Sequence, residues 1–196
     1  MTTIHRHPER ELTDVVVQNE LVTSSPARKA LAVLRIAFGL TFLWAFFDKL
    51  LALGYATGYD QDGVLDRFGD AAWINGGSPT EGFLSFGVNP DSPFAGLFNG
   101  LAGYAVVDWL FMLGLLTIGL ALTTGIAIRF AGVAGAALYL MMYAAVMVPE
   151  NNPVFDDHLI GAISVIVLAL TLAGDTWGAG KAWARTHLVR RYRFLR

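Results

Sequence analysis

The sequence KALAVLRIAFGLTFLWAFFDKLLALGY, residues 29–55, decides the fold of this chain. Between residues 30 and 47 the only charged side chain is Arg35, and Asp48 and Lys49 follow directly. About 20 apolar residues in a helix cross the roughly 30 Å hydrocarbon core of a bilayer. Charged groups in such a helix are costly and usually face protein rather than lipid. The stretch therefore predicts a membrane span whose three charges need partners.

The composition supports a membrane protein. Of 196 residues, 55% are hydrophobic and 15% are charged, whereas soluble domains carry about 25% charged residues. Cysteine is absent, which excludes disulfides, thiolate catalysis, iron–sulfur ligation and thiolate zinc sites. Of the four histidines, only His158 lies at an apolar stretch, so no pair of them can hold a haem within the bilayer. We therefore expect no haem, iron–sulfur cluster or metal on this chain.

Four apolar stretches predict an all-α integral membrane protein, a four-transmembrane-helix bundle. We place an N-terminal tail at 1–29, a membrane domain at 30–180 and a basic C-terminal amphipathic tail at 181–196. Ser24 and Pro26 offer a cap and a first-turn proline for the first span. The predicted spans are 30–53, 106–123, 126–148 and 159–173.

The long loop 56–105 separates the first two spans. It is too long for a simple connector, and Ser92-Pro93 opens an amphipathic run in which apolar residues recur at helical spacing. We expect short interfacial helices that cap the outer face. Two roles stay open for this loop, namely anchoring at the interface and covering a substrate site. The basic tail is expected to be an interfacial helix against the lipid bilayer, and no nucleic-acid partner is expected.

The charges predict the orientation. With four spans, the basic residues around 28–35, 129 and 181–196 fall on one side, and the loops on the other side are dense in Asp and Glu. The positive-inside rule then places both termini in the cytoplasm. The expected location is the plasma membrane.

Polar residues gather at the outer ends of the predicted spans, at about one membrane depth. Such a set can move protons to or from a carbonyl or hydroxyl group. For Asp108, which lies between apolar neighbours, the expected partner is Lys49. The candidates are Asp48, Lys49, Asp108, Asn151, Asn152, Asp157 and His158, with Asp156 and Glu150 beside them.

Simpler interpretations stand beside this hypothesis. Asp48 and Lys49 can form a terminal pair that reaches water, and Asp156-Asp157 can serve as the cap and first turn of the fourth helix. Arg35 can reach the cytoplasmic water or pair with Asp175, and we favour the first.

Five segments resemble the DoxX/DoxD family of small membrane proteins, in order and spacing as well as in composition. The resemblance extends from Ala30 to about Trp183. The segments are FLWAFFDKLLALGY (42–55), AWINGGSPTEGFL (72–84), DWLFMLGLLTIGLAL (108–122), NNPVFDDHLIGAISVIVLAL (151–170) and AGDTWGAG (173–180).

The resemblance implies a four-helix membrane protein. DoxD-type members are the small subunit of thiosulfate:quinone oxidoreductase, which oxidises thiosulfate and passes electrons to quinone. On this implication a membrane quinone is the expected substrate. The candidate catalytic residues are Asp48, Lys49, Asp108, Asp157 and His158, and the candidate quinone-binding residues are Trp44, Asn151 and Asn152.

Two functional hypotheses follow. In the first, the chain is a quinone-linked oxidoreductase or its membrane subunit, either alone or as a homo-oligomer. In the second it is a non-catalytic membrane anchor or assembly subunit that binds a soluble or membrane redox partner. A small transporter is less favoured, because no inverted repeat is visible.

Overall fold

The computed structural model describes residues 16–59, 62–149 and 152–196. These residues are helical and form no β-strand, with one isolated antiparallel bridge between Tyr59 and Leu65. The all-α prediction is confirmed. The helices are α1 (Gln18–Leu21), α2 (Ser25–Leu51), α3 (Ala95–Asn99), α4 (Ala105–Thr124), α5 (Ile128–Ala145), α6 (Asp157–Leu170), α7 (Gly180–Ala184) and α8 (His187–Arg191), with 3₁₀ turns at Trp73–Asn75, Ala173–Asp175 and Arg193–Leu195 and a π-turn at Phe83–Gly87.

Three of these helices, α2, α4 and α5, are long and apolar enough to cross a membrane. They have 27, 20 and 18 residues, or about 40, 30 and 27 Å at 1.5 Å per residue. Helix α6 is apolar but has 14 residues, about 21 Å, which is shorter than the hydrocarbon core. It ends at Leu170 because Leu172 adopts a left-handed conformation and the chain turns into a 3₁₀ segment.

Helix α2 begins at Ser25, ahead of the predicted start at residue 30. The hydroxyl of Ser24 accepts a hydrogen bond from the backbone N–H of Ala27 at 3.4 Å, and Pro26 occupies the first turn. The predicted cap is therefore confirmed, and it extends the helix beyond the apolar run.

Helix α2 packs against α4, and α5 packs against α6. Contacts between α4 and α5 join these two pairs. Glycines allow these close approaches. A Cβ at Gly119 of α4 would lie 2.8 Å from Cγ of Leu43, and one at Gly132 of α5 would lie 2.5 Å from Cβ of Ala169. Small residues at helix contacts are the usual basis of packing in lipid.

Arg35 is fully buried, so the interpretation that it reaches water is wrong. Its guanidinium lies where α4 ends and the chain leaves α6, and it donates only to backbone carbonyls. Carbonyls at a helix C-terminus lack intrahelical donors, and their partial negative charge favours a cation. The acceptors are Thr123 at 2.8 Å, Ala173 at 3.1 Å, Thr176 at 3.4 Å, Trp177 at 3.0 Å and also Leu122.

The expected alternative partner of Arg35, Asp175, binds elsewhere. Its Oδ2 accepts a hydrogen bond from the backbone N–H of Gln18 and forms an ion pair with Arg196, both at 2.9 Å. The backbone carbonyl of Arg196 in turn accepts from the N–H of Arg129 at 2.9 Å. Residues 16–29 and 171–196 therefore lie together at one end of the helices, which we call the tail end.

The C-terminal segment differs from the single helix that we expected. It forms α7 and α8, because the Thr186 hydroxyl accepts from the N–H of Val189 at 3.4 Å and starts a new helix. The chain then folds back, and the indole N–H of Trp183 donates to the carbonyl of Leu195 at 2.7 Å. Of the N-terminal tail, residues 1–15 lie outside the described residues, and the buried Gln18 shows that its end is packed.

The opposite end, which we call the loop end, is covered by the long loop. The Ser92 hydroxyl donates to the carbonyl of Ala144 at 2.7 Å, and the N–H of Asn89 donates to that of Ala145 at 3.0 Å. The Asn89 side-chain amide donates to the carbonyl of Val148 at 3.3 Å. The loop thus supplies donors to carbonyls that α5 leaves open at its C-terminus.

Candidate functional site

A cleft of about 540 Å³ opens at the loop end, between the loop and the start of α6. One wall is the π-turn and the residues after it. The other is formed by the segment that follows α5 and the first turn of α6. Apolar residues outnumber polar ones in the lining, but more of the exposed surface of the cleft is polar than apolar, and the ionisable groups are grouped at α6. The lining residues are Phe86, Gly87, Val88, Asn89, Pro90, Val146, Val148, Pro149, Phe155, Asp156, Asp157 and His158.

Asp156 organises the polar side of the cleft. It is the N-cap of α6, and its Oδ1 accepts from the N–H of Leu159 at 2.9 Å. Its Oδ2 lies 2.6 Å from Nδ1 of His158. The cap interpretation is confirmed, with Asp157 in the first turn. A histidine whose Nδ1–H binds a carboxylate is held in a fixed orientation, and its Nε2 stays available for another group.

The pKa of Asp156 lies below its ordinary value. Burial raises the pKa, but the hydrogen bond from the Leu159 N–H and the hydrogen bond and charge of His158 together outweigh burial. Both favourable contacts are stronger with the ionised carboxylate.

The sign of this pKa shift predicts an acid-dependent contribution to stability. A carboxylate with a lowered pKa stabilises the fold fully above its unfolded pKa of about 3.9 and loses that contribution as the pH falls through its folded pKa. The Asp156→Asn variant keeps the capping oxygen. Between pH 5 and pH 3 we expect the Tm of the wild type to fall, and the Tm of this variant to fall by roughly 2–4 °C less. Thermal unfolding in detergent at both pH values measures this. Equal losses in the two proteins would exclude the contribution.

Tyr139 connects the cleft to the core. Its ring lies edge-to-face with His158, with centroids 6.5 Å apart, and with Phe42 at 5.3 Å. A Cβ at Gly161 of α6 would lie 2.8 Å from Cζ of Tyr139. The lack of a side chain at Gly161 therefore allows the Tyr139 ring to pack against α6. The sequence analysis missed Tyr139, because a tyrosine within an apolar helix carries no signal of what it contacts.

Asp48 lies outside the cleft and is buried. Its Oδ1 accepts from the N–H of Tyr55 at 3.1 Å, and its Oδ2 accepts from the N–H of Ala56 at 2.8 Å. The carboxylate therefore holds the first residues of the long loop against the end of α2. Trp44 is half-exposed and stacks edge-to-face on Tyr55 at 4.9 Å.

Asp108 is also buried, and its partner is not the expected Lys49. Its Oδ1 accepts three hydrogen bonds, from the hydroxyl of Ser78 at 2.9 Å and from the hydroxyl and N–H of Thr80 at 2.6 and 3.2 Å. Lys49 is partly buried and lies within 4 Å of no carboxylate among the described residues. Asp108 is not paired with Lys49, because Ser78 and Thr80 of the nearby loop already supply three neutral hydrogen-bond donors to its carboxylate.

The predicted site residues that the structure describes lie at one end of the molecule but make separate contacts. Asp157 and His158 line the cleft, Asp48 and Asp108 hold the loop, and Asn152 accepts from the N–H groups of Val154 and Phe155 at 2.9 and 3.0 Å. Asn151 lies outside the described residues. Among the described residues, no group of three or more His, Asp or Glu could hold a metal ion.

Comparison of the chain with family models, with curated proteins and with solved structures gave no match.

Proposed function

We propose that the chain is a membrane protein of the DoxX/DoxD kind that binds a membrane quinone in the cleft at His158 and takes part in reducing it. One observation carries the proposal, namely the oriented Asp156–His158 pair in a cleft that also presents apolar side chains such as Phe86 and Phe155. Small-molecule sites combine apolar walls with a few fixed polar groups. A quinone has the matching chemistry, with an apolar ring and two carbonyl oxygens.

The proposal includes embedding in the plasma membrane. Helices α2, α4 and α5 have the required length and composition, and α6 would be the fourth span, as the resemblance implies. Large apolar side chains such as Leu110, Val133 and Leu170 are exposed on these helices and would face lipid. Basic residues concentrate at the tail end, so both termini would lie in the cytoplasm.

The chemistry assigned to the cleft is proton transfer. Protonated His158, held at Nδ1 by Asp156, would donate a hydrogen bond from Nε2 to one quinone carbonyl and release that proton as the carbonyl oxygen gains electrons. Reduction to the quinol consumes two electrons and two protons. Exposed Asp157 at the mouth of the cleft would return protons from water.

The electrons come from a donor outside this chain. The resemblance implies thiosulfate, and two thiosulfate dianions that join through a new S–S bond release two electrons. With no cysteine on the chain, no thiosulfonate intermediate forms on it. Electrons would pass directly to the bound quinone or through a partner subunit.

Binding of a short-chain quinone analogue to the purified chain in nanodiscs tests the cleft. We expect His158→Ala to weaken binding about 10–100-fold, because it removes one charge-assisted hydrogen bond. Asp157→Asn should slow turnover with thiosulfate and leave binding within about threefold. The matched control is His187→Ala, which changes an exposed histidine at the tail end. Equal affinities of the wild type and His158→Ala would refute the proposed site.

A second function has its own support. Asp48 and Asp108 are engaged in holding the loop, which fits a non-catalytic subunit whose structured loop binds a redox enzyme. Crosslinking followed by purification distinguishes the two. A stable redox partner together with absent quinone binding would favour the anchor. Quinone binding and reduction by the chain alone would favour the enzyme.

A further inference from the structure

The tail end carries a concentrated positive surface. The described residues 16–29, 125–129 and 171–196 include nine lysines and arginines and two acids, Glu20 and Asp175. Asp175 is buried and paired with Arg196, so Glu20 is the one exposed acid in these three ranges. The exposed cations in these ranges are Lys29, Arg129, Lys181, Arg185, Arg190, Arg191 and Arg193.

This surface is fixed to the ends of the helices. The ion pair of Arg196 with Asp175 and the hydrogen bond from the Arg129 N–H to the Arg196 carbonyl bring the last residues against α5 and the turn after α6. The indole of Trp183 holds the carbonyl of Leu195. The cations of α7 and α8 therefore keep a set distance from the apolar helices, which a free tail would not do.

Apolar side chains stand among the cations. Trp177 and Phe194 are more than half exposed, Leu188 and Tyr192 nearly so, and the guanidinium of Arg191 lies 5.6 Å from the ring centre of Tyr192. Aromatic rings beside basic residues at the ends of apolar helices are typical of the headgroup layer of a membrane.

We propose that α7, α8 and the adjoining basic residues bind the anionic headgroups of phospholipids in the leaflet at the tail end. This inference rests on the membrane embedding in the proposed function. Charge complementarity selects the partner, because a basic surface next to exposed aromatic rings matches a phosphate layer above acyl chains. An acidic protein would match the charge but would leave the rings without an apolar environment.

Native mass spectrometry of the full chain, given equal amounts of phosphatidylglycerol and phosphatidylcholine, measures the preference. We expect the wild type to retain about fivefold more of the anionic lipid. The preference should fall below about twofold in the quadruple variant Lys181→Gln, Arg185→Gln, Arg190→Gln, Arg191→Gln. Arg67→Gln, which removes a cation at the loop end, is the control and should keep the wild-type ratio.

Three further measurements make the outcome decisive. The double variant Arg190→Gln, Arg191→Gln, two exposed positions, replaces the quadruple variant if the latter loses its helical circular dichroism. Incorporation of the wild type into vesicles with phosphatidylglycerol should raise its Tm above that in pure phosphatidylcholine, and 0.5 M salt should remove most of this difference. Equal retention of the two lipids by the wild type, or an unchanged preference in the variants, would overturn the inference. Release of the chain from membranes by alkaline carbonate would instead overturn the embedding itself.

Discussion

Replacing Arg35 by methionine is expected to lower the free energy of unfolding by about 3–5 kcal/mol. The guanidinium is the shared donor for carbonyls at the end of α4 and in the turn after α6. Methionine fills a similar volume but leaves these buried acceptors without a donor, at about 1–3 kcal/mol for each group that water cannot reach. Thermal unfolding followed by size-exclusion chromatography in detergent measures the loss.

Two variants separate charge from geometry at this position. Arg35→Lys keeps the charge, but an ammonium group cannot reproduce the planar fork that serves two chain segments at once. We expect it to recover less than half of the lost stability. Arg129→Met is the matched control, because this exposed arginine donates to one carbonyl, that of Arg193 at 3.3 Å, and should cost about 0.5 kcal/mol or less. Equal stability of Arg35→Met and Arg129→Met would show that the carbonyls find other donors.

Asp48→Asn is expected to destabilise the chain by about 2 kcal/mol, whereas Asp108→Asn should cost under about 1 kcal/mol. The two losses of stability differ because Asp48 accepts hydrogen bonds on both carboxylate oxygens and Asp108 accepts them on one. Asp48 accepts one backbone N–H on each oxygen, so an amide NH₂ must face one of these donors. All three hydrogen bonds to Asp108 converge on Oδ1, which the oxygen of asparagine can replace.

The same pair of variants tests whether either carboxylate acts in catalysis. A residue that only holds the loop should lose activity in proportion to its loss of folded protein. A proton-transferring carboxylate would lose activity in the asparagine variant with the fold intact. We expect Asp108→Asn to keep both Tm and quinone binding close to wild type, measured on the same preparation. Full stability with activity lost by 100-fold or more would place Asp108 in the reaction.

The helices themselves were predictable because each follows from local sequence. The apolar stretches gave α2, α4 and α5 with ends within a few residues, and Ser24 and Asp156 were identified as caps. Capping depends on residues three positions apart, which sequence displays directly. The end of α6 was predicted three residues too late, at 173 instead of Leu170, because the left-handed turn at Leu172 depends on packing beside Arg35 rather than on composition.

Partners of the charged residues were not predictable in the same way. Asp108 was expected to bind Lys49 because opposite charges at one depth attract, yet the structure brings Ser78 and Thr80 to it from a loop about 30 positions away. Sequence order gives no information about which loop segment returns to a helix end. The cleft has the same origin, since Phe86 and Asn89 from the loop and His158 from α6 line it together although they are far apart in sequence.

The sequence by itself determined that this chain is helical, that α2, α4 and α5 are long and apolar, and that its basic residues collect at one end. It also predicted a fourth span, where the structure has α6 with only 14 residues. These properties depend on residue type and on spacing along one helix. The tertiary structure alone decided that Arg35 is buried on carbonyls, that Asp48 and Asp108 hold the loop, and that Asp156 and His158 face a cleft. The reason is physical: a buried charge is satisfied by whichever donors or acceptors the folded chain brings within about 3 Å, and these come from segments far away in sequence.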